Sequence, residues 1–303
     1  MGDSICITGA SGFLGTRLLD RLQRSGRKLA CLGRRKPIAA SGKVEFIEGD
    51  LLDRGTVRRA VEGCGTVVHL AAVTGKQSPG EYFRVNRDGT EVLASEARRA
   101  GVGRFLYIST IAVKFPDISR YHYAQSKQQA EAIVAASGLP WTIIRPTMIF
   151  GPGSPVFEGL KRLASLPVVP IFGNGRARVQ PVFVGDLASV IATLAEADEF
   201  AGRTIEVGGP DVLSIGQLLL RIRNAAGIPN GRVIHLPVGP IAACLSLLEP
   251  MMRQLLPVTA GQLASFTSDG TAAPDPCVAR WQAGMRGVEE MLRATAKERA
   301  GSA

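Results

Sequence analysis

Ser4-Ile5-Cys6-Ile7-Thr8-Gly9-Ala10-Ser11-Gly12-Phe13-Leu14-Gly15 joins a short β-branched run to a turn punctuated by glycine. From Phe13 onward the period changes. Phe13, Leu14, Leu18, Leu19 and Leu22 share one helical face, and Arg17, Arg21 and Arg24 lie on the other. The segment therefore reads as strand, turn, helix. Glycine at such a turn lets the backbone approach a pyrophosphate, and the helix N-terminus offers N–H groups and a positive dipole. Glycines also serve ordinary tight turns. The strand before and the helix after are what favour a dinucleotide site built from Gly9, Ser11, Gly12, Phe13, Leu14 and Gly15.

Working outward, strand patterns at 28–32, 44–47, 66–72, 104–109 and 141–145 alternate with helical patterns at 86–100 and 123–136. This alternation predicts an α/β protein: a Rossmann doubly wound parallel sheet covered by helices on both faces. After Phe150 the run Gly151-Pro152-Gly153-Ser154-Pro155 breaks the rhythm. Strands are expected at 182–184, 204–207 and 232–236, and helices at 186–196 and 214–226, the latter capped by Ser214. Residues 240–268 read as apolar helical material interrupted by Pro250 and Pro257, and a charged helix is expected near 288–297. The expected organisation is a dinucleotide-binding domain over 1–150, with 181–208 returning to it. Residues 151–180 and 209–303 would form a smaller, mostly helical C-terminal lobe for substrate.

With 303 residues and 46% hydrophobic residues the chain can bury a large core, which excludes a mainly disordered protein. Its net charge of +10 is uneven: 22 basic and 13 acidic residues fall in 1–150, against 14 and 13 in 151–303. No zinc-finger spacing or RNA-binding aromatic signature accompanies this charge, so no nucleic-acid partner is expected. Five cysteines without a CxxC pair argue against a disulfide framework and against a metal site. Cys6 and Cys31 sit in strand-like runs and are expected as buried thiols. No segment has the length and apolarity of a membrane span or a signal peptide, so a cytoplasmic location is the default expectation.

The end of the second strand bears on cofactor choice. A carboxylate there would accept from a ribose 2′-OH. The chain instead has Gly33-Arg34-Arg35-Lys36, and Arg34 and Arg35 can donate to a 2′-phosphate. NADP(H) is expected over NAD(H). The chemical site is expected at Thr110, Tyr123 and Lys127. Tyr123 and Lys127 are i and i+4, so they share a helix face. A cation beside a phenol favours the phenolate, and such a phenol can exchange a proton with a carbonyl or alcohol oxygen. Thr110, at the C-terminal end of the fifth strand, can hydrogen-bond that same oxygen. His69, in an apolar strand, reads as a satisfied core histidine.

These motifs, with Gly49-Asp50, Val68-His69-Leu70-Ala71-Ala72, Asn86-Arg87-Asp88-Gly89-Thr90, Ile108-Ser109-Thr110, Tyr123-Ala124-Gln125-Ser126-Lys127 and Arg145-Pro146-Thr147-Met148, stand in one order over residues 4–190. In this the chain resembles the extended (epimerase/dehydratase-like) branch of the short-chain dehydrogenase/reductase superfamily. The resemblance implies that Asp50 and Leu51 contact the adenine, and that Ala71 and Ala72 line the cofactor cleft. It also implies that Lys127 holds the nicotinamide ribose and that Pro146, Thr147 and Met148 approach the nicotinamide amide. Val73, Asn86, Ile108 and Tyr123 complete the implied cofactor set.

Nucleotide-sugar epimerases usually place an Arg that grips the diphosphate after a Gly-x-Gly turn. Here Val179 holds that place, with Arg176 and Arg178 nearby. The run 180–186 resembles the branch related to the 39 kDa accessory subunit of respiratory complex I. The expectation is an NADP(H)-dependent oxidoreductase or epimerase acting on a carbonyl/alcohol pair. The alternatives are a non-catalytic NADPH-binding accessory protein of a membrane-associated complex, or a nucleotide-sugar epimerase/dehydratase. The expected partner is a small-molecule substrate, with an apolar one favoured because 241–256 carries only Glu249 and Arg253 as charges. Peripheral membrane contact and a homodimer stay open.

Overall fold

The computed structural model describes residues 4–38, 40, 44–197, 199–229, 231–252, 255–256 and 258–300. The strands are β1 Ser4–Thr8, β2 Leu29–Gly33, β3 Val44–Glu48, β4 Cys64–His69, β5 Arg104–Ile108, β6 Trp141–Pro146, β7 Ile149–Phe150, β8 Val168–Phe172, β9 Arg178–Val179, β10 Val182–Phe183, β11 Arg203–Val207, β12 Leu213–Ser214 and β13 Arg232–Leu236. The helices are α1 Phe13–Gln23, α2 Arg54–Val61, α3 Pro79–Tyr82, α4 Gly89–Arg99, α5 His122–Ala136, α6 Pro155–Ala164, α7 Val184–Leu194, α8 Ile215–Ala225, α9 Val238–Met252, α10 Ala264–Thr267, α11 Pro276–Gln282 and α12 Val288–Ala300.

Seven strands form one sheet in the order β11-β6-β5-β4-β1-β2-β3. The pairs from β3 to β6 are parallel. The order reverses on either side of β1, which is the doubly wound arrangement and leaves a crevice at the C-terminal ends of the strands. Alternate residues face opposite ways along each strand. Cys6, Ala30, Leu32, Val67, Phe105, Tyr107 and Ile143 pack against Val57, Ala60, Val61, Leu93, Ala97, Ala130 and Val134 of α2, α4 and α5. Their neighbours Ile5, Ile7, Cys31, Val68, Leu106 and Ile144 are also buried, on the other face. Helices α1 and α7 pack against one another.

The chain divides into two compact units. The first comprises 1–110, 123–145 and 184–205, and the second comprises 111–122, 146–183 and 206–303. The second unit contains three two-stranded sheets, β10-β7, β12-β9 and β13-β8. Its apolar cluster joins Phe172, Leu245, Leu256, Ala260 and Leu263, with the Phe172 and Phe266 rings edge-on at 5.1 Å.

Three local readings are corrected. The helix expected from Asn86 begins as a π-helical turn, Phe83–Asp88, and becomes α-helical only at Gly89. The strand expected to reach Val184 ends at Phe183, where α7 begins. Pro250 does not interrupt the apolar helix, because α9 runs through it to Met252. A proline in the last turn removes one hydrogen bond from a helix that ends two residues later, and Pro240 lies in the first turn, where no N–H is needed. Arg253 and Pro257 lie outside the described residues.

Candidate active site

Helix α1 opens at Gly12 with no side chain capping it, so its first N–H groups are left for an anion. Gly9 has φ +74°, and a Cβ there would lie 2.6 Å from the Ala71 nitrogen. At Gly15 a Cβ would collide with the Gly9 carbonyl. Both glycines are therefore required by the close approach of β1, the turn and the chain after β4. Ser11 is exposed beside them, Phe13 is half-buried, and Leu14 is buried. An uncapped helix start behind a glycine turn fits a dinucleotide pyrophosphate. Arg34 and Arg35 are exposed just beyond β2. Asp50 accepts the Leu52 N–H at 3.0 Å, and Leu51 is buried with its side chain 3.1 Å from where a Cβ on Gly89 would lie.

The chain after β4 is fixed by buried polar side chains. The Ala71 N–H donates to Thr8 Oγ1 at 3.2 Å. Asn86 accepts the Val73 N–H at 2.8 Å and returns an N–H to the Val73 carbonyl at 3.1 Å. Its amide nitrogen also donates to Ser126 Oγ at 3.0 Å, which ties this segment to α5. Ala72 is half-buried in the same segment.

His69 lies between Thr8 Oγ1, 2.6 Å from Nδ1, and Thr90 Oγ1, 2.9 Å from Nε2. Thr90 gives its hydroxyl proton to the Asn86 carbonyl at 2.6 Å, so it must accept from Nε2–H. Thr8 then donates to Nδ1. This assigns a neutral imidazole protonated at Nε2 from the network. Burial, then the charge of Lys127, pushes the His69 pKa down to about 3. His69 is the satisfied core histidine expected from the sequence.

Thr110 and Tyr123 are half-buried, and Lys127 is 1% exposed. Tyr123 and Lys127 sit one turn apart on α5. The Tyr123 and Tyr82 rings lie 6.1 Å apart, tilted by 60°. Lys127 Nζ donates to the Ile108 carbonyl at 2.6 Å and stands 4.1 Å above the Tyr107 ring. Burial pushes the Lys127 pKa down to about 7, against the opposing pull of Glu131. Glu131 is itself held by both arms of Arg145, at 2.9 and 2.6 Å. Lys127 is thus a firmly positioned amine whose charge is weakened by burial, where the sequence suggested only a cation beside a phenol. Sequence reasoning quoted Thr8, Thr90 and Ser126 within motifs without a role and missed Tyr82 and Tyr107, because their roles depend on partners that only the fold supplies.

Pro146, Thr147 and Met148 belong to the second unit. There the Thr147 N–H donates to the Val207 carbonyl at 2.9 Å, its hydroxyl donates to the Gln180 carbonyl, and the Met148 carbonyl accepts the Val182 N–H at 2.9 Å. Val179 is 2% exposed. Arg178 is taken up by Asp269, which accepts from both its backbone and its side chain, at 2.8 and 2.9 Å. A cavity of about 430 Å³ in this unit is lined by Lys114, Arg178, Gln180, Glu206, Asp275 and Gln282 among others. Lys114 is paired with Glu206 at 2.8 Å. Among the described residues no group of three or more His, Cys, Asp or Glu could hold a metal ion, and no helix is long and apolar enough to cross a membrane.

This arrangement is similar to known proteins. The solved UDP-glucose 4-epimerase of Thermus thermophilus in complex with NAD has a TM-score of 0.73 at 22% identity, covering 99% of this chain and 100% of that one. At that identity the likeness shows the fold. The ceramide reductase of Caulobacter vibrioides is 35% identical over 189 residues, which are 61% of this chain but only 58% of that protein. Sterol demethylase protein B of Methylococcus capsulatus is 30% identical over 278 residues, covering 83% of both chains. The family model described as NAD dependent epimerase/dehydratase matches residues 5–208. That match includes the uncapped glycine turn, the segment pinned by Asn86 and the Tyr123–Lys127 helix, and the chain belongs to this family.

Proposed function

We propose that the protein is an NADP(H)-dependent oxidoreductase or epimerase acting on the carbonyl/alcohol pair of an apolar, lipid-like substrate. In this reading the dinucleotide-binding part is 1–150 with 181–208, and the substrate is selected by 151–180 and 209–303. The bound nicotinamide supplies or accepts the hydride. The residues of this chain do the rest. The N–H groups at the start of α1 receive the pyrophosphate, and Arg34 and Arg35 receive a 2′-phosphate. Thr110 orients the reacting oxygen. Tyr123 gives that oxygen a proton or takes one from it. Lys127, anchored on Ile108, holds the ribose and biases Tyr123.

The observation that carries the substrate class is at β9. The side chain expected to grip a sugar-nucleotide diphosphate is the buried Val179, and the adjacent Arg178 is neutralised by Asp269. Two relatives bear names, ceramide reductase and sterol demethylase protein B, that point to lipid substrates, which supports the same reading.

The test is thermal shift and NADPH consumption with NADP(H) present, comparing long-chain and sterol ketones with UDP- and dTDP-sugars. Saturable stabilisation and turnover with the apolar set are expected. Saturable stabilisation by a sugar nucleotide at micromolar concentration, with none from the apolar set, would favour the nucleotide-sugar reading. No turnover of any carbonyl, together with co-purification of a membrane complex, would favour the accessory reading implied by the complex I resemblance.

A further inference from the structure

Helix α9 is apolar on two faces. Ile241, Ala242 and Leu245 turn inward onto the cluster around Phe172 and Leu263. A second face, about a third of a turn round, carries Cys244, Leu247, Leu248 and Met251, spaced i, i+3, i+4 and i+7, so they form one exposed stripe. Leu247 is 78% exposed and Met251 89%, and Leu255, just past the helix, is 78% exposed. A helix on the surface of a globular protein normally sets charged side chains there. Here Glu249 is the only charged residue in α9. Its carboxylate is turned onto the chain and accepts the Ala260 N–H. An exposed cation borders the helix instead, since Arg120 donates to Ser246 Oγ at 3.2 Å.

We propose that the outward stripe of α9 docks the protein on the interface of an anionic lipid bilayer. The chemistry selects this occupant over a second copy of the chain. The one carboxylate of the helix is withdrawn and a guanidinium stands at the helix margin. Anionic lipid attracts such a surface, and Leu and Met side chains enter the boundary between headgroups and acyl chains. Fifteen helical residues rise about 22 Å, less than the roughly 30 Å of a hydrocarbon core, so α9 lies in the interface and does not cross it. The docking stands apart from the substrate assignment, because vesicle binding is read without any turnover.

The experiment sediments the full chain with vesicles of phosphatidylcholine containing 30% phosphatidylglycerol, and with phosphatidylcholine alone. Binding to the anionic vesicles is expected, and Leu247→Glu with Met251→Glu should weaken it at least tenfold while leaving the NADPH-induced thermal shift unchanged. Leu247→Trp provides a second readout if the Glu variant does not fold: its emission should move to shorter wavelength when anionic vesicles are added. No sedimentation with vesicles overturns the proposal. Binding that the Glu variant retains in full also overturns it, because charge alone would then explain adsorption. A dimer by light scattering that the same variant converts to monomer, without vesicle binding, overturns it in favour of contact between copies.

Discussion

The two units use buried polar side chains in different ways. In the first, they bond to backbone and also to one another across separate elements: Thr8 to His69 and His69 to Thr90, and Asn86 to Ser126. In the second, they bond to backbone. Gln180 donates to the Gly209 carbonyl at 2.7 Å and accepts the Ala272 N–H at 2.9 Å. Arg223, 5% exposed, donates to the carbonyls of Pro229, Ala164 and Leu166 at 2.7, 2.6 and 2.8 Å. The parallel sheet of the first unit satisfies most of its own peptide groups, so several of its polar side chains are left to hold one another at the strand ends. The second unit has short strands and many loops, and its polar side chains substitute for missing ladder partners. The first unit locks side chains across elements and the second stitches loops together.

The largest expected effect breaks the first unit's chemistry alone. Tyr123→Phe removes only a hydroxyl and should lower turnover about 10²–10⁴-fold, the usual worth of a general acid or base. NADPH affinity should be unchanged, because the proton transfer matters only in the transition state. Steady-state kinetics and calorimetry on one preparation check both halves. Full activity in the Phe variant would remove Tyr123 from the site.

Arg223→Met strikes the other side of the comparison. It leaves three carbonyls, one buried and two part-buried, without their donor and should cost about 3 kcal/mol of stability, read from the urea midpoint. NADPH should still bind with its original affinity once the variant is folded. A stable variant with weakened cofactor binding would show that the stitching residues also serve the chemical site.

Smaller again is the double change Arg34→Ala with Arg35→Ala. Both side chains are exposed, so stability should hardly move. NADPH should lose about 2 kcal/mol of affinity, as for charged hydrogen bonds generally, and NADH almost none. Calorimetry in which the unmodified protein prefers NADH would remove the 2′-phosphate role.

The same contrast explains what the sequence could disclose. A turn that only glycine fits and a Tyr–Lys pair at i and i+4 need particular residue types, so Gly9, Tyr123 and Lys127 stand out as letters. Bonds to backbone need only a carbonyl, which every residue has, so the partners of Gln180 and Arg223 are invisible until the chain is folded. The helix α6 shows a different failure. Gly151-Pro152-Gly153-Ser154-Pro155 reads as a breaker, yet Ser154 caps α6 by accepting the Phe157 N–H and Pro155 fills its first position. The signal was present, but two prolines and two glycines outweighed it. Burial is likewise beyond a spacing argument. The i and i+4 relation predicts that Tyr123 and Lys127 share a face, but not that Lys127 is anchored beneath the surface with its pKa pushed down to about 7.

The finest test concerns His69, where the first unit's prearrangement has a measurable cost. Its imidazole is held neutral, with a pKa of about 3 against an ordinary 6.5. Between those values the unfolded chain binds more protons than the native one, so stability rises with pH there and is lost as pH falls from 6.5. From pH 7 to 5.5 the loss from this one group should be about 1 kcal/mol. The lowered carboxylates Asp53, Glu81, Glu96, Asp117 and Asp269 contribute below this window, since they separate from their unfolded values only under more acid conditions. Lys127 adds a smaller loss in the same direction, because it completes its protonation just below pH 7. The comparison that isolates His69 is therefore with His69→Gln, which cannot titrate. Urea midpoints of the two proteins, measured from pH 7 to 5.5, should converge as the pH falls. Parallel midpoints across that range would mean that the imidazole is not held neutral between Thr8 and Thr90.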